Sequence, residues 1–201
     1  KDFVNFRQNF GSYTDQKTLL SEVPSVKVKN YIYRNDGDLT FTNVSEAWGI
    51  DNVSFSNGAA FVDLDDDGDL DYVVNNINDP ASIYENTLYN GKKDLDTLNH
   101  YLEIQLKGNV KNTLALGTKL WIKYGTGQLQ YHDHSIYRGY ISSVDPIVHF
   151  GLGRVNSVDS LLVQWPDGKA QLMLDVPVNQ RLELDQDQGQ DLSMVALHPP
   201  T

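Results

Sequence analysis

The chain of 201 residues contains no cysteine, and this absence excludes disulfide bonds, thiolate metal sites and a cysteine nucleophile. Lysine and arginine form no run along the chain, and the formal net charge is −11. Nucleic acids and anionic membranes bind basic surfaces, so we expect neither of them as a partner. No apolar run approaches the roughly 18–20 residues of a membrane-spanning helix, so we expect no membrane insertion of this segment.

What the sequence does contain is a normal share of core-forming residues, since 40% of the chain is apolar. The length suffices for one large or two small domains with real cores. The sequence starts at Lys1 without a methionine and shows no signal peptide. We therefore expect a piece of a longer, processed protein.

The first 29 residues are of mixed character and predict an N-terminal segment with one short helix. The stretch TDQKTLLSEV has a possible N-cap at Thr14 or Asp15 and is followed by Pro24, which would end a helix. We treat residues 1–29 as separate from the β-rich sequence that follows.

Glycine and Asn-Asp-Gly punctuation from residue 30 onwards predicts short β-strands. The stretch RNDGDLTF (34–41) predicts a tight turn followed by a strand, and NVSEAWG (43–49) predicts one helical turn that ends at a glycine. Ile-Tyr-Arg-Asn at 32–35 recurs as Ile-Tyr-Glu-Asn at 83–86, a spacing of 51 residues that suits one propeller blade. Only about one such unit fits into 30–90, so we expect an incomplete ring.

A second region, over residues 99–186, alternates apolar and polar residues with the period of a half-buried strand. The alternation predicts four inward-facing sets: Leu102, Ile104 and Leu106; Leu120, Ile122 and Tyr124; Leu161, Val163 and Trp165; Leu182 and Leu184. WPDGKAQL adds a hairpin signal. We expect an all-β chain, in which the blade is followed by an antiparallel β-sandwich or barrel. Residues 87–98 are polar and suggest a linker, and residues 187–201 a loose tail.

Six aspartates lie within nine positions of FVDLDDDGDLDYVV (61–74), between two apolar segments. If Asp63 is position 1 of a loop, the acids at positions 3, 5 and 9 are Asp65, Asp67 and Asp71. Gly68 at position 6 allows a sharp turn, and position 7, Asp69, can offer its main-chain carbonyl. Asp66 should then point to solvent.

This spacing predicts a strand-loop-strand calcium site. Ca²⁺ takes about six to eight oxygen ligands, and alternate positions of a tight loop can point at one centre. An EF-hand would place a glutamate at position 12, where this chain has Val74, so Asp71 must complete the shell. Four carboxylates within about 4 Å repel one another by several kcal/mol, and a cation relieves that repulsion. The alternative is a solvated acidic turn.

The stretch FSNGAAFVDLDDDGDLDYVVNN (55–76) resembles the FG-GAP/VCBS repeat, the calcium-loop blade of integrin-type β-propellers. YRNDGDLTFTNVSEAWGI (33–50) is similar to the segment that links such repeats. The resemblance implies calcium ligands from the side chains of Asp63, Asp65, Asp67 and Asp71 and from the carbonyl of Asp69. This chain departs from the family in showing one calcium loop, and residues 1–29 match no complete blade.

The second region resembles the ASPIC/UnbV domain, which follows such repeats in bacterial surface proteins. The matching stretches are NHYLEIQLKG (99–108), ALG (115–117), RGYISS (138–143), HFGLG (149–153) and VDSLLVQWPDG (158–168). The two resemblances together cover residues 30–186. They imply a secreted or cell-envelope location and a role in binding or adhesion, without established chemistry.

Other candidate sites are weaker. His132 and His134, with His149 downstream, could hold a second metal ion, although such histidines are more often surface residues. Trp121 lies in an outward register and is a candidate for contact with sugars, whereas Trp165 belongs to the core register. No G-x-S-x-G elbow or phosphate-loop motif occurs, so neither an esterase-type triad nor a nucleotide site is predicted.

The favoured prediction is a non-enzymatic, calcium-stabilised module of an exported or cell-surface bacterial protein that binds a protein or glycan. One alternative is a carbohydrate-active enzyme or its accessory domain, which would need two acids facing one cleft. Another is a structural connector that closes the end of a β-propeller.

Overall fold

The computed structural model describes residues 25–88 and 99–191, and within these ranges the chain is all-β. Apart from one short 3-10 turn at Gln186–Gln188, no helix occurs in the described residues. The backbone divides into two compact units, which are described separately below. The predicted all-β class is confirmed, while the helix predicted before Pro24 lies outside the described residues.

The first unit comprises residues 25–56 and 76–80 of the described chain. Its strands are β1 (Val28–Lys29), β2 (Tyr33–Asn35), β3 (Phe41–Asn43) and β4 (Val53–Ser54). β1 pairs with β4 and β2 pairs with β3, both antiparallel. The turn predicted between β2 and β3 is confirmed, since the N–H of Asp36 donates to the carbonyl of Thr40 (3.1 Å) and Gly37 has φ +88°.

The predicted helical turn after β3 is also present. The N–H of Trp48 donates to the carbonyl of Val44 (2.9 Å), and the N–H of Ile50 donates to the carbonyl of Ser45 (2.8 Å). Gly49 has φ +74°, the left-handed conformation that ends a helical turn in this hydrogen-bonding pattern. The glycine therefore stops the turn where the sequence predicted.

The second unit comprises residues 57–75, 81–88 and 99–191 of the described chain. Its strands are β5 (Ser56–Val62), β6 (Asp71–Asn76), β7 (Ser82–Tyr84), β8 (His100–Lys107), β9 (Lys119–Tyr124), β10 (Gln128–Asp133), β11 (Val148–Gly153), β12 (Ser157–Gln164), β13 (Lys169–Pro177), β14 (Gln180–Asp185) and β15 (Gln190–Asp191). They form three sheets, with strand orders β5-β6-β7, β10-β9-β12-β13-β15 and β11-β8-β14. None of these sheets closes into a barrel.

The core of the second unit brings together the inward faces of the five-stranded sheet and of the sheet β11-β8-β14. Leu102 and Ile104 of β8 are fully buried, as are Leu120 and Ile122 of β9. They belong to one apolar cluster that also contains Trp165. The inward faces predicted from the alternation are confirmed, and burial of such side chains stabilises the fold by about 1.5–3 kcal/mol each.

One strand pairing differs from the antiparallel expectation, because β14 runs parallel to β8, with Leu182 opposite Ile104. Parallel neighbours need a long crossover, and here the strands β9 to β13 supply it. Residues 190–191, within the predicted tail, form β15 and pair with β13. The chain from residue 192 onwards, like most of the predicted linker, lies outside the described residues.

Candidate metal centre

The acidic loop connects β5 to β6, so the predicted strand-loop-strand arrangement is present. Two positions of the loop adopt positive φ: Asp66 (+57°) and Gly68 (+93°). Aspartate tolerates this region better than most residues, and glycine enters it without steric cost. These two positions reverse the direction of the chain within the loop.

Hydrogen bonds to main-chain N–H groups fix the orientation of the inner carboxylates. Asp63 accepts from the N–H of Asp67 (3.2 Å) and from the N–H of Gly68 (3.0 Å). Asp67 accepts from the N–H of Asp69 (3.0 Å). The loop therefore organises its carboxylates by its own backbone.

The side chains of Asp63, Asp65 and Asp67 converge. Each offers a carboxylate oxygen, and these oxygens all lie within 4.8 Å of one another. Asp63 and Asp67 are half-buried, and Asp65 is exposed. Three carboxylates at this separation form the hard oxygen environment that suits Ca²⁺ or a similar cation.

The electrostatics of the cluster also favour a bound cation. Burial raises the pKa of Asp67, and repulsion from Asp65, Asp63 and Asp71 acts in the same sense, against the hydrogen bond from the N–H of Asp69. The ionised cluster is thus held under mutual repulsion, which a bound cation would reverse.

The structure places the other predicted loop residues as follows. Asp71 is only 4% exposed, and its oxygens accept from the N–H groups of Leu64 (3.1 Å) and Asn86 (2.8 Å). It lies outside the group of three converging carboxylates. Asp69 is buried, and Asp66 points to solvent as predicted. The metal-ligand roles of all five residues, Asp63, Asp65, Asp67, Asp69 and Asp71, stay predictions.

Two aromatic residues of the sheet β11-β8-β14 support the loop from outside. The Nε2 atom of His149 lies 3.0 Å from the carbonyl oxygen of Gly68, and the His149 ring stacks on Tyr101 with centroids 5.8 Å apart. A Cβ atom added to Gly68 would lie 2.0 Å from Cε1 of Tyr101. Position 68 therefore requires glycine for two reasons: the close approach of the Tyr101 ring and the positive φ.

An arginine on β14 links the loop to a buried acid. Arg181 donates from Nε to Glu103 (2.8 Å) and from Nη2 to Asp66 (3.2 Å). The side chain of Glu103 is only 5% exposed. Sequence reasoning missed Arg181 and Tyr101, since neither stands in a local motif with the loop.

The histidine pair does not form a metal site with a third ligand. The His132 and His134 rings lie 6.1 Å apart, and Nε2 of His134 lies 3.0 Å from the carbonyl oxygen of Leu114. Within residues 25–88 and 99–191, Asp63, Asp65 and Asp67 are the only group of three or more His, Cys, Asp or Glu side chains placed to share a metal ion. Burial is the main cause that lowers the pKa values of His132 and His134.

Trp165 lies on the core side and Trp121 on the outer face of the five-stranded sheet, as predicted. Trp165 is buried in the core at 2% exposure. Trp121 contacts Tyr131 with ring centroids 5.2 Å apart. Tyr131, Trp121, Leu162 and Leu172 stand in cross-strand register on β10, β9, β12 and β13. We call these four residues the outer-face row, and in it Tyr131 is 51% and Leu172 41% exposed.

In residues 25–88 and 99–191, no helix has the length and apolar character needed to cross a bilayer.

Comparisons with known proteins give two family matches and two relatives. The FG-GAP-like repeat family matches residues 21–74, and the family described as ASPIC and UnbV matches residues 108–191. Cartilage acidic protein 1 of Mus musculus is 27% identical over 143 residues, which cover 69% of this chain and 20% of the relative. Cartilage acidic protein 1 of Xenopus tropicalis is 34% identical over 64 residues, covering 31% of this chain and 10% of the relative.

The alignments thus span about a fifth and a tenth of these two relatives. Both family resemblances predicted from the sequence are confirmed. The chain carries an FG-GAP-like repeat followed by an ASPIC and UnbV domain.

Proposed function

We propose that this chain is a non-enzymatic calcium-binding module of an extracellular or cell-envelope protein. The observation that carries the proposal is the convergence of Asp63, Asp65 and Asp67, whose oxygens lie within 4.8 Å of one another. The raised pKa of Asp67 supports it, because burial and, after it, repulsion from the neighbouring carboxylates both disfavour the ionised form, and a bound cation would offset both. The match to an FG-GAP-like repeat supports it independently.

The residues present fit Ca²⁺ rather than a transition metal. All candidate ligands are oxygens: the carboxylates of Asp63, Asp65, Asp67 and Asp71 and the carbonyl of Asp69. Hard oxygen ligands favour Ca²⁺, whereas imidazole and thiolate favour zinc and copper. We expect a Kd of about 10⁻⁴ to 10⁻³ M, the range of extracellular calcium modules.

The names of the relatives support an extracellular setting. Both relatives are called cartilage acidic protein 1, and cartilage is a tissue rich in extracellular matrix. An extracellular or envelope setting, on a bacterial surface or otherwise, is therefore proposed.

The proposed role is binding of a protein or glycan partner. The outer-face row supports this role, because an apolar row with an exposed aromatic ring is typical of a contact surface. Trp121 and Tyr131 together offer a tilted aromatic pair on which a sugar ring or an apolar side chain could pack.

A calcium titration with a matched pair of variants tests the proposal. Wild type, Asp65→Asn and Asp66→Asn are compared by calorimetry and by thermal melting, with and without a chelator. Asp65 belongs to the converging cluster, whereas the adjacent Asp66 is 80% exposed, so each variant loses one charge from the same loop. Calcium at about 100 times Kd should stabilise wild type and Asp66→Asn by about 2.7 kcal/mol, and Asp65→Asn far less.

Two results would contradict the calcium proposal. One is the absence of binding heat and of any melting shift in wild type. The other is an equal loss of calcium response in Asp65→Asn and Asp66→Asn, which would indicate nonspecific attraction to an acidic loop.

A carbohydrate-active enzyme, or its accessory domain, is the second candidate, and one observation favours it. Glu103 and Asp145 line the same cavity of about 320 Å³ in the second unit. Glycosidases use two carboxyl groups that flank one bond. Hydrolysis of a panel of aryl glycosides that is lost in both Glu103→Gln and Asp145→Asn would establish the enzyme, and no turnover in wild type would remove it. The accessory-domain form requires glycan binding without turnover.

A further inference from the structure

The second unit contains a cavity of about 320 Å³ that lies beside the acidic loop. Its apolar lining residues are Phe61, Val62, Leu70, Val144 and Ile147. Its nitrogen-bearing lining residues are His132, His134, Arg138, His149 and Arg181. Of these, His149 contacts the carbonyl of Gly68 and Arg181 donates to Glu103. The cavity therefore combines an apolar lining with a concentration of potential hydrogen-bond donors, the usual composition of a small-molecule site.

Arg138 has no acidic partner in the part of the chain that the structure describes. Its Nη1 atom donates to the carbonyl of Tyr137 (2.8 Å). In residues 25–88 and 99–191, no carboxylate oxygen lies within the 4.0 Å of an ion pair from its guanidinium. A half-buried arginine without a counter-ion is an incomplete anion site, because its fork geometry suits a bidentate acceptor.

The neighbouring imidazoles supply hydrogen-bonding nitrogens rather than further positive charge, because the pKa values of both are lowered. After burial, the charge of Arg138 is among the causes that lower the pKa values of both His132 and His134. His134 is held by the carbonyl of Leu114. His132 makes no hydrogen bond with another described residue through its ring, so its ring nitrogens can serve a ligand.

The acids that line the cavity already have hydrogen-bond donors. Glu103 accepts from Arg181, and Asp145 accepts from the N–H of Ile147 (3.1 Å). Asp63 accepts from two N–H groups of its own loop. None of these three acids forms an ion pair with Arg138, so the positive charge of Arg138 remains available to a ligand.

We propose that this cavity binds a small organic carboxylate, whose carboxylate group pairs with Arg138 and His132 while a short apolar body packs against the apolar lining, which includes Phe61 and Ile147. The cavity volume is near the lower end of the range of about 300–1,000 Å³ for ligand sites, so the body is limited to about one ring or a short chain. The proposal is independent of the calcium site.

The carboxylate could belong to a free acid or to the end of a peptide, and the two share this chemistry. Phenylacetate probes the free acid and N-acetylphenylalanine probes the peptide end. Phenylacetamide and N-acetylphenylalaninamide are their uncharged controls of similar shape. Each is titrated into the full chain while amide and histidine ring resonances are followed by NMR. The relative affinities of the first two probes identify the source.

We expect saturable shifts of the His132 ring with at least one of the two acids, and binding of the matching amide weaker by about ten-fold or more. Arg138→Gln should weaken binding of the acid by a similar factor. Arg154→Gln is the matched control, since it removes the same charge from an exposed residue outside the cavity. It should change affinity by less than about two-fold, because exposed distant charges are screened.

Three outcomes would overturn the proposal: no saturable shift with either acid, equal binding of acid and amide, or equal weakening in Arg138→Gln and Arg154→Gln. If Arg138→Gln fails to fold, the acid-amide comparison in wild type still decides. The titrations are run with added calcium and, separately, on protein from which calcium and chelator have been removed by dialysis. The acid-amide difference is expected in both, so failure of the calcium proposal would leave this result interpretable.

Discussion

The Nε2 atom of His149 on β11 lies 3.0 Å from the main-chain carbonyl oxygen of Gly68 in the acidic loop. The same ring stacks on Tyr101 of β8 with an interplanar angle of 7°. The tip of the loop is thus supported by two strands of the sheet β11-β8-β14. We infer that the shape of the acidic loop depends on the integrity of that sheet.

Gly68→Ala is expected to lower the free energy of unfolding by about 3 kcal/mol or more. The left-handed φ costs a residue with a Cβ about 1–2 kcal/mol, and the Cβ would collide with Tyr101 at 2.0 Å. Gly168→Ala is the matched control, because its φ of +89° is nearly the same and nothing lies within 4 Å of the added atom. Urea denaturation measures both.

A loss in Gly168→Ala as large as that in Gly68→Ala would show that the ring contact adds nothing. Tyr101→Ala combined with Gly68→Ala provides a further check. If the collision is the cause, the alanine at 68 should cost less in the Tyr101→Ala background.

Asp71→Ala is expected to destabilise the protein even in the presence of a chelator. Its oxygens accept from the N–H groups of Leu64 and Asn86, and an alanine leaves both donors without this acceptor. Each unsatisfied donor costs about 1–3 kcal/mol. Asp65→Asn should leave the chelated protein as stable as wild type or slightly more stable, since Asp65 is exposed and its charge repels the other carboxylates of the cluster. Equal melting temperatures of chelated wild type and Asp71→Ala would contradict this role.

Arg181→Gln is expected to cost about 2–3 kcal/mol, because it leaves the buried carboxylate of Glu103 without its cation. Asp66→Asn removes only the exposed partner of the same arginine and should cost under about 0.5 kcal/mol. Chemical denaturation measures the free energy of unfolding of both variants. Adding Glu103→Gln to Arg181→Gln should restore part of the stability, and no restoration would argue against the buried charge as the cause.

Stability is expected to fall as the pH drops below the ordinary histidine value of 6.5, from which the pKa of His134 is lowered. A lowered pKa in the folded state means that the unfolded chain takes up the proton first. The contribution is therefore complete above 6.5 and is lost as the pH falls towards the folded value. The groups acting on His134 are the carbonyl of Leu114, Arg138 and Asp133.

Melting temperatures between about pH 7 and pH 5.5, above most carboxylate titration, measure this effect. His134→Gln should reduce the fall in melting temperature with decreasing pH. Part of that fall should remain in this variant, because the pKa of His132 is lowered too. An unchanged slope in His134→Gln would assign the acid sensitivity elsewhere.

Local patterns explain why much of the fold and part of the site followed from the sequence. The alternation at Leu102 and Ile104 identifies a buried face because side-chain direction in a strand depends only on position. The turn at Gly68 follows from backbone sterics alone. The partner of a strand is a tertiary property, so the parallel pairing of β14 with β8 could not be predicted in this way.

The supporting contacts of the loop are long-range and for that reason escaped sequence reasoning. His149 is 81 positions from Gly68, and Arg181 is 115 positions from Asp66. Asp71 was predicted as a ligand from its spacing, yet its N–H partners at Leu64 and Asn86 depend on how the strands converge. A single sequence carries no signal for such pairs.

The parallel pairing of β14 with β8 also bears on how the protein is made. During synthesis β8 emerges long before residue 180, and until then one of its edges has no neighbour from this sheet. Unpaired strand edges recruit other chains. A chain truncated within β12 or β13 would therefore have an open edge on β8 and lack the arginine that contacts the acidic loop. Such a truncated chain is expected to associate edge to edge more readily than the full domain.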